Sequence, residues 1–182
     1  MIIDYYWLKK VLTKKEIKEI NKLSNLHGNI DDRGAAKGVD KTSVVRMVPL
    51  HYLSKALNNL KQNLIKINTY EFGYNLFPLS DAEFALHNTY TDKLKSEYGW
   101  HKDNSNTTVY DIKLSVLINT STTNYKGGDF YMFLNGGPKK IKEFSEPGDV
   151  LIFKSYFFHK IEPVTKGERK SLSLFLSGPR LI

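Results

Sequence analysis

Two rhythms of hydrophobic and polar positions divide this chain near residue 83. Before that point apolar residues recur at spacings of three and four; after it they alternate with polar ones. Thr13-Lys14-Lys15-Glu16 matches a capping box and leads into Ile17, Ile20, Leu23 and Leu26, which predicts a helix. A second helix is predicted from Leu50 to Ile67, with Leu53, Leu57, Leu60, Leu64 and Ile67 on one apolar stripe. Between them, the polar segment 27–38 carries three glycines and is too long for a tight turn, so it reads as a loop. Beyond residue 82, strands are predicted over 83–91, 107–119, 129–134, 139–144, 149–153, 157–161 and 171–176. Gly127-Gly128, Asn135-Gly136-Gly137-Pro138 and Pro147-Gly148-Asp149 punctuate them. Many short strands preceded by helices predict a mainly β sandwich or barrel with helices packed on one sheet.

Composition narrows the class. A length of 182 residues suits one domain, and 41% hydrophobic with 13% aromatic residues is enough for a packed core. No repeat or linker divides the chain. There is no cysteine, so neither a disulfide framework nor a cysteine-based zinc site can form. The first ten residues lack the basic and apolar regions of a signal peptide, and no apolar run reaches the roughly 20 residues of a membrane span. A cytoplasmic, soluble protein is the expectation. The formal charge of +8 raises the question of nucleic acid, but 23 of the 27 basic residues are lysines spread along the chain. Only Arg33, Arg46, Arg169 and Arg180 offer bidentate forks, and no nucleic-acid motif is present. A solvated lysine-rich surface is the simpler reading, and an acidic substrate or partner fits it equally.

Three stretches carry the chemistry: His101-Lys102-Asp103, His159, and Arg169-Lys170-Ser171. Residues two apart on an extended strand project to one side, so His101 and Asp103 can offer a nitrogen and an oxygen to one metal. His159 follows a turn and an apolar strand, where a third ligand can arrive from a neighbouring strand. Two histidines and one carboxylate on one face of a metal are the ligand set of non-haem Fe(II) oxygenases. Each piece alone is weak, since an H-x-D arises readily by accident and a lone histidine is commonly structural. The alternation after residue 168 puts Arg169, Ser171 and Ser173 on one face and Leu172, Leu174 and Leu176 on the other. A guanidinium beside a hydroxyl suits a carboxylate at the far end of a co-substrate. His27, His51 and His87 are read as structural, His87 being the one whose strand face is least settled.

In order and spacing, Tyr98-Gly99-Trp100-His101-Lys102-Asp103, Tyr125-Lys126-Gly127-Gly128-Asp129-Phe130, Pro147-Gly148-Asp149-Val150-Leu151-Ile152-Phe153 and His159 to Leu172 resemble the 2-oxoglutarate- and Fe(II)-dependent dioxygenases. The branch they resemble includes prolyl 4-hydroxylases and related bacterial and phage hydroxylases. The resemblance implies a double-stranded β-helix (jelly-roll) core over 83–178, flanked by supporting α-helices in a helical region over 1–82. It implies Fe(II) held by His101, Asp103 and His159, and 2-oxoglutarate held by Arg169 with Ser171 assisting. Animal-type prolyl 4-hydroxylases use a lysine where Arg169 stands. Tyr90 matches a family tyrosine that contacts 2-oxoglutarate, at a spacing about two residues longer than the pattern, and a plain core role stays open for it. The implied reaction consumes O2, releases succinate and CO2, and hydroxylates an unactivated C–H bond. Asp103 argues against a halogenase, in which that position is vacated for chloride. A prolyl residue in a peptide or protein is the leading substrate. A free amino acid, another side chain or a nucleobase is an alternative, as is a non-catalytic binding module. Segments 27–41, 74–81 and 120–126 are candidate loops around the site.

Overall fold

The computed structural model describes residues 3–31, 41–103 and 109–180. Helix α1 (Lys14–His27) begins as its capping box dictates: Glu16 N–H donates to Thr13 Oγ1 at 3.2 Å, and Thr13 N–H donates to the Glu16 carboxylate at 2.7 Å. Its buried face runs through Ile17, Ile20, Asn21 and Ser24. Leu26, expected on that stripe, is exposed instead. Asn21 takes the inward position because its amide is used there, donating to Thr120 O and meeting His87 Nε2, each at 2.8 Å. Helix α2 (Leu50–Ile67) buries Leu53, Leu57, Leu60 and Leu64 as predicted, and runs into a π-helical turn, Asn68–Phe72. Each of those leucines contributes about 1.5–3 kcal/mol by leaving water.

The strands are β1 (Tyr5–Leu8), β2 (Asn29–Ile30), β3 (Val44–Pro49), β4 (Phe84–Thr91), β5 (Tyr98–His101), β6 (Tyr110–Asn119), β7 (Lys126–Gly127), β8 (Phe130–Leu134), β9 (Gly137–Lys140), β10 (Val150–Lys154), β11 (His159–Ile161), β12 (Val164–Lys166) and β13 (Glu168–Pro179). Seven form a major sheet in the order β1-β10-β6-β13-β4-β3-β2, and four form a minor sheet, β5-β11-β8-β9. β12 and β7 make a separate ribbon. All pairings are antiparallel. This is the jelly-roll core with supporting helices. One apolar cluster lies between the major sheet and the helices, including Ile20, Leu53, Leu57, Val116, Leu172 and Leu174. The other lies between the sheets, including Tyr90, Leu117, Phe130, Met132, Phe153 and Ile161.

Three differences from the predicted elements have local causes. The region before residue 83 is not purely helical: β1 pairs with β10, and β3 with β4. β1 is only four residues long, and β3 passes directly into α2 at Pro49, so neither shows a turn signal of its own. The strand expected over 139–144 is shifted to Gly137–Lys140, after which a turn closed by Phe144 N–H to Ile141 O buries both of those side chains. β13 runs well past the predicted 171–176, because it pairs with β4 on one side and β6 on the other. The predicted start of the 107–119 strand falls partly in 104–108, which lies outside the described residues, as do residues 32–40 of the loop expected over 27–41.

Candidate metal and co-substrate site

His101 is the last residue of β5 and His159 the first of β11, and the two stand directly opposite each other in the antiparallel register. Asp103 follows β5 in irregular chain rather than on the strand, held by its N–H donating to Ser155 O at 3.1 Å. One ligand atom from each of the three lies within 4.8 Å of the others. Asp103 carboxylate oxygens stand 3.8 Å from His101 Nε2 and 3.5 Å from His159 Nε2. Those separations are too wide for good hydrogen bonds and leave room for an ion between the groups.

The imidazoles are oriented from behind. His101 Nδ1 lies 2.7 Å from Gly99 O and His159 Nδ1 lies 3.0 Å from Phe157 O. A carbonyl accepts only from an N–H, so each Nδ1 carries the proton and each Nε2 presents a lone pair toward Asp103. Burial, reinforced by neighbouring His159, pushes the His101 pKa down to about 4, against the opposing pull of Asp103 and the Gly99 carbonyl. A neutral imidazole is the ligand form. Ser115 Oγ donates to Asp103 Oδ2 at 2.6 Å and fixes the carboxylate. The Phe153 ring stands edge-on to His159 at 4.8 Å, and Tyr98 stacks on His101 at 3.5 Å.

The same cavity is lined by Tyr90, Asn88 and Leu86 of β4 and by Ser171, Ser173 and Phe175 of β13. Arg169 pairs with Tyr90 in the β13–β4 register, and both are about 1% exposed. The guanidinium carbon stands 5.3 Å from the Tyr90 ring centroid and 5.8 Å from that of Phe144, and Nη1 donates to Ser171 Oγ at 3.3 Å. No carboxylate among the described residues forms an ion pair with Arg169, and its buried Nε has no hydrogen-bond partner. A buried cation without a counter-ion is costly, so an anion reaching Arg169 would be favoured. Gly128 makes the space for it: at φ +65°, a Cβ there would sit 2.8 Å from Arg169 Cδ. Burial raises the Tyr90 pKa, with Arg169 opposing, so its hydroxyl is protonated and able to donate.

The structure therefore brings His101, Asp103, His159, Tyr90, Arg169 and Ser171 together. It turns His87 away: Ala85 and His87 face helix α1, where His87 meets Asn21. His27 stacks on Tyr52, and His51 stands beside the same ring. Sequence reasoning missed Ser115, whose signal was a single hydroxyl in the otherwise apolar run 114–118, and Lys41, which gave none. Of the candidate loops, 74–79 lines a separate groove against α2 and Leu176, while Asn124 and Tyr125 border Gly127 and Gly128. No helix among the described residues is long and apolar enough to cross a membrane.

The geometry agrees with comparisons to known proteins. The structure is similar to a prolyl-4-hydroxylase of Pseudomonas putida (TM-score 0.73, 15% identity, covering 97% of this chain and 94% of that one). It is similar to the viral collagen prolyl hydroxylase of Paramecium Bursaria Chlorella virus-1 in its 2-oxoglutarate complex (0.68, 14%, 97% and 97%). It is also similar to the non-haem α-ketoglutarate-dependent carbocyclase SnoK of nogalamycin biosynthesis (0.71, 12%, 96% and 79%). At such identities these likenesses speak for the fold. No curated protein matches the sequence significantly. Residues 85–177, just over half the chain and the stretch that carries every one of the converging side chains, match the family model of the 2OG-Fe(II) oxygenase superfamily, and to that superfamily, with its Fe(II), 2-oxoglutarate and O2, the chain belongs.

Proposed function

We propose that the chain acts as one dioxygenase domain that hydroxylates a prolyl residue in a peptide or protein. His101, Asp103 and His159 hold Fe(II), and Arg169, with Ser171 and Tyr90, holds the distal carboxylate of 2-oxoglutarate. The observation that carries the co-substrate part is the buried guanidinium of Arg169, without a counter-charge among the described residues, which reaches Ser171 and Tyr90 of the cavity that holds the His–Asp–His set. The prolyl part is supported by likeness: the similar structures include prolyl hydroxylases of Pseudomonas putida and Paramecium Bursaria Chlorella virus-1, matched over 94% and 97% of their own length.

When bound, iron and 2-oxoglutarate supply the oxidising chemistry, in which O2 is consumed, succinate and CO2 are released, and a hydroxyl replaces a hydrogen on an unactivated carbon. The residues of this chain prepare the site for it. His101 and His159 keep their Nε2 lone pairs free because the Gly99 and Phe157 carbonyls take their Nδ1 protons. Ser115 holds the Asp103 carboxylate in one orientation. Arg169 supplies a planar fork for a carboxylate, and Tyr90 and Ser171 add hydroxyls beside it. Leu117, Phe130 and Ile161 line the cavity with apolar surface and exclude water from the reacting carbon.

The test is succinate release by the iron-loaded protein with and without a panel of proline-containing peptides, with the peptides weighed for a gain of one oxygen. Turnover raised by none of them removes the prolyl reading. A free amino acid or a nucleobase that raises turnover instead would replace it. Absence of any visible charge-transfer band with Fe(II) and 2-oxoglutarate under anaerobic conditions would point to a non-catalytic module.

A further inference from the structure

Lys41 is a second cation of the cavity, and neither the iron nor the co-substrate uses it. It lines the same space as His101, Asp103, His159 and Tyr90. Its backbone bridges to Tyr98, and its Nζ sits 4.4 Å from the centroid of the Tyr98 ring, which in turn stacks on His101. Among the described residues no carboxylate lies within ion-pair distance of it. Burial lowers its pKa, and the fields of Asp31 and Asp103 only partly oppose this.

Charge balance indicates what it awaits. The two positive charges of Fe(II) and the one of Arg169 match the single charge of Asp103 and the two of 2-oxoglutarate. The loaded inner site is then neutral, and among the described residues the ammonium of Lys41 is met only by the field of Asp31, without an ion pair. The cation–π contact with Tyr98 compensates it only in part. A carboxylate arriving with the substrate would complete the pairing, and the +8 charge of the whole chain would draw acidic molecules toward it.

We propose that Lys41 is a specificity-determining residue that reads a carboxylate on the substrate next to the carbon to be hydroxylated, so that the preferred substrate is acidic at that neighbouring position. The proposal rests on the oxygenase site described above and not on the target being proline.

The experiment measures binding, by fluorescence anisotropy, of labelled peptides to protein loaded with Ni(II) and 2-oxoglutarate, which does not turn over. Each peptide carries Asp, Asn or Lys beside a central residue that is proline in one half of the panel and leucine in the other. The wild-type protein is expected to bind the Asp peptides on the order of tenfold more tightly than the Asn peptides, as one charge-assisted hydrogen bond allows. The Lys41→Gln variant is expected to lose that preference and Lys41→Arg to keep it. Affinity for 2-oxoglutarate is expected to stay within about twofold in both variants, since no charge of the co-substrate depends on Lys41. Acid preference confined to the leucine half would remove the prolyl reading and leave this one standing. Absence of acid-dependent binding in either half, a preference that survives Lys41→Gln, or a fall in 2-oxoglutarate affinity in that variant would overturn it.

Discussion

His101 and His159 face each other across the antiparallel pair of β5 and β11, and each ties its Nδ1 to the carbonyl two residues before it. Both Nε2 atoms are therefore aimed by hydrogen bonds to the backbone. The two imidazoles are thus held in the orientation that metal ligation would need, leaving the carboxylate as the member that a side chain must orient.

That makes Ser115 the next residue to test. Removing the hydroxyl in Ser115→Ala frees Asp103 Oδ2 from its 2.6 Å hydrogen bond. Metal affinity is expected to fall by about 10- to 100-fold, as is typical when a partner behind a ligand is lost. A competitive titration with Ni(II) or Co(II) measures it, and an unchanged affinity would show that the carboxylate needs no such support.

Arg169→Met separates binding from folding. Losing the guanidinium should weaken 2-oxoglutarate binding by at least about tenfold, the loss of one charge-assisted pair. The ligand-free protein, relieved of a buried unpaired cation, should at the same time become more stable by about 1–4 kcal/mol. Co-substrate titration and thermal unfolding of the variant give the two readouts, and a drop in both would mean that the arginine is structural.

Gly128→Ala acts on the same side chain from outside. The new Cβ would press on Arg169 Cδ and require a left-handed backbone, at φ +65°, that costs an alanine roughly 1–2 kcal/mol. Weaker 2-oxoglutarate binding with undiminished metal binding is the expected pattern. Loss of metal binding as well would indicate a wider collapse.

His87 sets an acid limit on stability. Burial pushes its pKa down to about 4, from an ordinary value near 6.5. Between those values the unfolded chain binds a proton there and the folded chain does not, so stability is full above about pH 6.5 and falls as the pH drops toward 4. The loss amounts to about 3 kcal/mol. Denaturant unfolding between pH 4 and 7 should show a shallower decline for His87→Gln than for the wild-type protein. An equally steep decline would place the titrating group elsewhere.

How far these features were legible in the sequence follows from the range of the interactions that make them. The capping box of α1, the α2 stripe and the alternation of Arg169, Ser171 and Ser173 are local patterns and came through intact. The contact of Tyr90 with Arg169 was obscured because a spacing along the chain does not state a register between strands. Ser115 and Lys41 matter only through partners brought near by folding, 12 residues away for Ser115 and across a strand bridge for Lys41. Leu26 misled for a different reason: three successive steps of three residues carry it about half a turn round α1 from Ile17, to the solvent side.

Strand β13 serves two masters at once. Its residues Ser171 and Ser173 line the cavity, with Arg169 bonded to Ser171, while Leu172, Leu174 and Leu176 hold the helices against the major sheet. A one-residue slip along this strand would exchange the two sets and ruin both. Heritable variation is thus constrained from both faces here, and this wall of the pocket can be kept or lost but hardly retuned. Descendants of this protein that take up new substrates should carry their changes at the rim, around Lys41 and the segment that precedes His159, with β13 handed down almost untouched.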